Sequence, residues 1–166
     1  MSKTVKVIFG SSTGNTQRAA EAIAAKLGGT AVNITGAGPD DFNADLLILG
    51  TSTWGYGELQ DDWQNGMPLL EGANLSGRKV ALFGLGDAAG FADTYLNAMG
   101  ELADKAKAAG AEIVGRWSKA GYTHSGSTAE DGDNFVGLAL DDDNEPGESA
   151  GRIDRWCAQL KTEAGL

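Results

Sequence analysis

One cysteine, one histidine and three prolines are all that this 166-residue chain holds of those types. A lone Cys157 excludes an internal disulfide and any cluster held by several thiolates, and it reads as a small packing residue in a late helix. His124 is far from it in sequence, so no soft-metal site can be assembled, and a surface position in a polar loop is expected for the histidine. Positive charge is also scarce: 13 Lys and Arg face 23 Asp and Glu, for a formal net charge of −10. That balance argues against nucleic acid and anionic membrane surfaces, and suits either a basic protein partner met by electrostatic steering or solubility alone, between which charge does not choose. The acidic tracts at 130–133 and 141–145 lack calcium-loop spacing and read as solvated faces. No apolar run approaches bilayer length, and the opening MSKTVKV lacks signal-peptide organisation. The expectation is one cytoplasmic domain spanning residues 1–166.

What is present is a regular alternation of apolar runs and helical segments. Strands are expected at Val5–Phe9, 30–34, 46–50, 79–84 and 112–117, with a second late apolar run at 135–140. Helices are expected at Asn15–Leu27, about 59–70, 94–109 and about 149–160. The unbroken run Leu46-Leu47-Ile48-Leu49-Gly50 suits a central parallel strand buried on both faces. Strands alternating with helices predict a parallel α/β sheet with right-handed crossovers.

Three loops leave the carboxyl ends of these strands, where open α/β sheets bind ligands. The first, Gly10 to Thr16 (GSSTGNT), offers the hydroxyls of Ser11, Ser12, Thr13 and Thr16, the Asn15 amide and a helix N-terminus. Gly10 and Gly14 allow a tight turn and close approach to an anion. It is not an ATP-binding loop, because Asn15 stands where that motif has its lysine. Ser11 and Ser12 have no base in sequence to activate them, so nucleophilic catalysis is not indicated. The second loop runs through Thr51, Ser52, Thr53, Trp54, Gly55, Tyr56 and Gly57, and the third through Leu85, Gly86, Asp87, Phe91 and Asp93. Trp54 and Phe91 in glycine-flanked loops suggest a flat aromatic ring held between them. Asp87 is placed to accept from an imide-like N–H of that ring, the alternative being an Asx-turn within its own loop.

GSSTGNT, TSTWGYGELQDDW from Thr51, ALFGLGDAAGFAD from Ala81 and VGLALDDDN from Val136 occur in order, with a late Trp156, and together they resemble the long-chain flavodoxins end to end. The resemblance implies a flavodoxin-like doubly wound, five-stranded parallel sheet of order 2-1-3-4-5, with helices on both faces and an insertion splitting strand five. It implies non-covalent FMN, with Ser11 to Thr16 on the phosphate and Trp54 and Phe91 flanking the isoalloxazine. Backbone around Leu85, Gly86 and Asp87 would meet the pyrimidine edge, and Asp143 the ribityl side. Phe91 stands where the family more often has Tyr, which keeps the stacking surface and removes a hydroxyl.

The implied function is a low-potential one-electron carrier rather than an enzyme, cycling mainly between semiquinone and hydroquinone. A peptide carbonyl turned inward at Gly55-Tyr56 would accept from a protonated flavin N5, worth about 1 kcal/mol. The phosphate loop itself contains no Lys or Arg, so the phosphate is expected to stay uncompensated among Glu58, Asp61, Asp62, Asp87, Asp93 and the aspartates 141–143. One like charge at about 10 Å costs on the order of 1.7 kcal/mol, or ~70 mV, at an effective dielectric near 20. The implied partners are basic redox proteins, such as a ferredoxin/flavodoxin-NADP reductase, and a low-potential acceptor enzyme, met by a monomer. The alternative is an FMN-dependent NAD(P)H quinone reductase, which needs a more open ring. A phosphate-receiver domain is excluded, since Gly50-Thr51-Ser52 replaces the acidic phosphoacceptor at the end of strand three.

Overall fold

Side chains of opposite parity along each strand enter two separate cores, and this alternation builds the architecture. The computed structural model describes residues 4–10, 14–54, 58–90, 92–122, 124–141 and 144–166, apart from the side chains of Trp54, Glu58, Leu59 and Ala92. In chain order come β1 (Val5–Phe9), α1 (Asn15–Leu27), β2 (Thr30–Asn33), β3 (Leu46–Trp54), β4 (Glu58–Leu59), α2 (Asp61–Glu71) and β5 (Lys79–Leu85). Then follow α3 (Asn97–Ala108), β6 (Glu112–Val114), β7 (Trp117–Ser118), β8 (Glu130–Asp131), β9 (Asn134–Phe135), β10 (Leu138–Leu140) and α4 (Ser149–Glu163).

The parallel sheet has the order β2-β1-β3-β5, and its last position is shared by two short strands. β6 pairs with residues 79–81 of β5, and β10 with residues 83–85. Between them, β7, β9 and β8 form a separate antiparallel sheet in that order. The chain therefore has the flavodoxin-like order 2-1-3-4-5 with its fifth strand split, as expected.

On one face, Val5, Val7, Phe9, Leu46, Ile48, Ala81 and Phe83 pack against α1 and α4 through Ala20, Ile23, Trp156 and Leu160. On the other, Ile8, Leu47, Leu49, Val80 and Leu82 pack against α2 and α3 through Trp63, Leu70, Met99 and Leu102. The small residues Ala19, Ala20 and Ala24 on α1 are buried and let that helix lie close to the sheet. Truncating a fully buried residue such as Trp156 to alanine would cost about 3–5 kcal/mol.

Several element boundaries differ from the sequence reading: β3 runs on to Trp54, the late run 135–140 divides between β9 and β10 in different sheets, and two further shifts have a clear physical cause. The expected strand 112–117 leaves the main sheet after Val114, because Gly115 takes φ 77 and its carbonyl accepts from Trp156 Nε1 at 2.7 Å. Trp117 then starts the antiparallel sheet. The expected helix 94–109 begins only at Asn97: residues Ala92–Thr94 form a 3-10 turn, and Leu96 sits in the left-handed region at φ 61. That conformation costs about 1–2 kcal/mol for a residue with a Cβ. Complete burial of the Leu96 side chain is worth about 1.5–3 kcal/mol and offsets it. Thr53 Oγ1 fixes the new start by accepting from Ala98 N–H at 3.1 Å. Among the described residues no helix is long and apolar enough to cross a membrane.

Candidate functional site

β1 lies between β2 and β3, and helices leave the two sides of this pair toward opposite faces of the sheet. Such a reversal opens a crevice beyond the strands' carboxyl ends. The ends of β1, β3 and β5 all meet at this edge, which brings Gly14, Asn15 and Thr16 together with Thr51, Ser52, Thr53, Leu85, Gly86 and Asp87.

At the end of β1, Gly14 takes φ 93, a conformation that suits glycine, and α1 starts directly after it. No side chain among the described residues caps α1, so its first turn presents N–H donors and the positive end of the helix dipole. Thr16 in that turn is buried. Arg18 folds back over it: its guanidinium donates to Asn15 Oδ1, and Nη1 lies 3.5 Å from where a Cβ on Gly14 would sit. The loop's own sequence has no cation, but the helix returns one to it. The sequence reading, which counted cations within the loop alone, did not anticipate it. A helix N-terminus beside a guanidinium fits a phosphate ester. A groove of about 410 Å³ continues from this point between α1 and α4, lined by Arg18, Leu140, Ser149 and Ile153 among others.

The loop rests on a buried support that sequence reasoning missed. Gly10 N–H donates to Gly50 O at 3.3 Å, and Trp63 Nε1 donates to the same carbonyl at 2.7 Å. A Cβ on Gly10 would lie 2.2 Å from Gln60 Oε1 and 2.8 Å from Trp63 Cδ1. Gln60 also begins α2 by accepting from Trp63 N–H at 3.3 Å. The only local signal was the acidic pair Asp61-Asp62, which suits a helix first turn. Ser11, Ser12 and Thr13 lie outside the described residues.

In the second loop, Thr51 is fully buried and its hydroxyl donates to Ser52 O at 3.0 Å, while Ser52 is half-buried. The Thr53 hydroxyl serves the start of α3, as above. Trp54 pairs with Glu58 across β3 and β4. The Trp54 side chain and Gly55, Tyr56 and Gly57 lie outside the described residues.

The third loop is densely bonded. Leu85 is buried, and Gly86 N–H donates to Leu140 O at 3.1 Å. Asp87 Oδ1 accepts from Ala89 N–H at 3.1 Å, Gly90 N–H at 2.7 Å and Asn144 Nδ2 at 2.7 Å. The bond from Gly90 and then that from Asn144 hold its carboxyl below the usual carboxylate range. This oxygen closes its own loop, the arrangement that the Asx-turn alternative describes. Asp93 is exposed, and its carbonyl lies beside Gly126 of the inserted segment. Phe91 and Asp143 lie outside the described residues.

Within the acidic run after β10, Asp141 is not a rim charge but 1% exposed. Its Oδ2 accepts from Ala88 N–H at 3.0 Å and Asn144 Nδ2 at 2.9 Å, and its Oδ1 from Asn144 N–H at 2.9 Å. His124 also departs from expectation. Its side chain is 6% exposed, packed against Tyr95 and Phe135, with Nε2 2.6 Å from Glu130. No linear pattern revealed that Tyr95 and Phe135, 29 residues before it and 11 after it, would pack against it. Cys157 is buried, and burial pushes its thiol up to about 11, which makes it inert.

The flavodoxin family model matches residues 7–156. The chain is 45% identical over its full length to a flavodoxin of Picosynechococcus sp., whose chain it also covers completely. It is 41% identical to flavodoxin 1 of Escherichia coli, with 96% of this chain and 94% of that one covered. Among solved structures, it superposes on a Fusobacterium nucleatum flavodoxin bound to flavin mononucleotide with a TM-score of 0.91 and 29% identity. That likeness covers 97% of this chain and 98% of the other.

Proposed function

The chain belongs to the flavodoxin family, and on that premise we propose that it holds FMN non-covalently as a low-potential, one-electron carrier between a reductase and an acceptor enzyme. Bound FMN supplies the redox chemistry, taking up and releasing electrons singly. The protein's part is to bind, orient and surround it. The observation that carries the reading is the first turn of α1, with the Arg18 guanidinium folded over it, at the reversal point of the sheet.

There the α1 N–H groups and Arg18 hold the phosphate, together with Ser11, Ser12, Thr13 and Asn15. Trp54 and Phe91, from the loops after β3 and β5, would flank the ring, and Asp143 would meet the ribityl chain, as the family resemblance implies. The peptide at Gly55 would supply a backbone carbonyl as acceptor to a flavin N–H. Carboxylates at this edge, Asp87 and Asp141 among them, would disfavour negative charge on the ring and so keep the second reduction potential low.

The net charge of −10 supports basic partners, such as an NADP-linked reductase, met in the cytoplasm by a monomer. Stepwise anaerobic reduction of the flavin-loaded protein, followed by its visible spectrum, tests the reading. A long-wavelength band that accumulates and then yields reluctantly to a strong reductant is the expected result. Direct two-electron bleaching by NAD(P)H without that band would replace the carrier with a quinone reductase.

A further inference from the structure

One amide joins the two loops at the β5 and β10 ends. Asn144 Nδ2 donates to Asp87 Oδ1 at 2.7 Å and to Asp141 Oδ2 at 2.9 Å, so both amide hydrogens are committed to carboxylates from different loops. Asp141 reaches on to Ala88 N–H, and Asp87 to Ala89 and Gly90 N–H, which extends the link along the whole turn after β5. Gly86 N–H and the Tyr95 hydroxyl both donate to Leu140 O, which anchors the base of the same unit at 3.1 and 3.2 Å. Asn144 itself is exposed, whereas Asp141 is almost fully buried. A buried carboxylate and a second carboxylate sharing one neutral donor is an arrangement that any acidic replacement would break.

We propose that Asn144 is a positioning residue that latches residues 86–90 to residues 141–145, holding the turn after β5 in shape to receive the ring of the flavin. The proposal rests on the reading that a flavin occupies this edge. The latch acts through backbone placement: without it, Asp87 and Asp141 repel, and the turn between them is free to open. Other charges around it are already engaged or set back. Glu145 pairs with Arg152 of α4 at 3.3 Å, and Tyr95 meets the unit only through its hydroxyl. Asp142 and Asp143, in the same acidic run, add negative charge to this loop.

The test is titration of the apoprotein with FMN and with riboflavin, for the wild type, Asn144→Ala and Asn144→Asp, at pH 8 and pH 5.5. Because Asn144 is exposed, both variants should fold, which far-UV circular dichroism checks. For Asn144→Ala, affinity for both ligands should fall by about the same factor, roughly tenfold, because the defect lies at the ring and not at the phosphate. Asn144→Asp should be weaker still at pH 8 and recover toward Asn144→Ala at pH 5.5, as protonation removes the third carboxylate. A purely structural defect would not show that pH dependence. Amide exchange at Ala89 and Gly90 in the apoprotein should quicken in both variants.

Wild-type affinity in Asn144→Ala, a loss confined to FMN, or an Asn144→Asp defect that is flat with pH would each overturn the latch while leaving the cofactor reading intact. Failure of the wild-type protein to bind either ligand would overturn the cofactor reading and, with it, the role proposed for Asn144.

Discussion

Arg18 supplies one of two sharp predictions at the residue scale. Its guanidinium lies over Gly14 and Asn15, so Arg18→Gln should weaken FMN binding about tenfold and leave riboflavin binding unchanged, as fluorescence titration of the apoprotein would show. Equal losses for both ligands would remove Arg18 from the phosphate. The second concerns Cys157, whose thiol is buried and raised to about 11. Iodoacetamide at pH 8 should leave it unmodified in the folded protein and modify it readily in urea, as mass spectrometry would show. The packing role of Cys157 was legible from its helical surroundings. The position of Arg18 was not, because a side chain two residues beyond the loop returns to it only once the helix has formed.

At the element scale, Trp63 ties α2 to the end of β3 through Gly50 O and forms the floor under Gly10. Trp63→Phe keeps most of the apolar volume but leaves that carbonyl short of a donor, so urea unfolding should report a loss of about 1–3 kcal/mol. FMN affinity should fall with it, since the loop above loses its support. The antiparallel insertion answers to pH through Glu130, whose carboxyl is held below its ordinary 4.5, first by the bond with His124. A carboxyl depressed in the folded state contributes stability that is present above its unfolded value and lost as pH falls through the folded one. Protection of the Val136 amide, whose N–H donates to Ala129 O, should therefore fall relative to the intrinsic exchange rate as pH drops below about 4.5, and Glu130→Gln should remove that acid step. Helix α1 and the central strands were readable from periodicity and glycine stops. The delayed start of α3 was not, because it depends on Thr53 from β3 and on where Leu96 finds space in the core.

For the whole molecule, ligand binding and charge give the remaining expectation. FMN that binds only the folded chain should raise the thermal midpoint, by an amount corresponding to about 2.7 kcal/mol at one hundred times the dissociation constant. Calorimetry with and without added FMN checks this, and an unchanged midpoint would count against cofactor binding. The amino-acid sequence by itself determined the order of strands and helices, the two buried faces and the three loops at one edge. Those features follow from local periodicity, from glycines at turns and from the parity of side chains along a strand, all of which are properties of neighbouring residues. Only the tertiary structure decided that Asp141 is a buried hub and not a solvated charge, that His124 is enclosed by aromatic rings, and that Asn144 bridges two carboxylates 57 and 3 residues away in sequence. Burial and hydrogen-bond pairing across such separations arise from which loops the sheet brings together, and no local pattern in an acidic run distinguishes the carboxylate that turns inward from its neighbours.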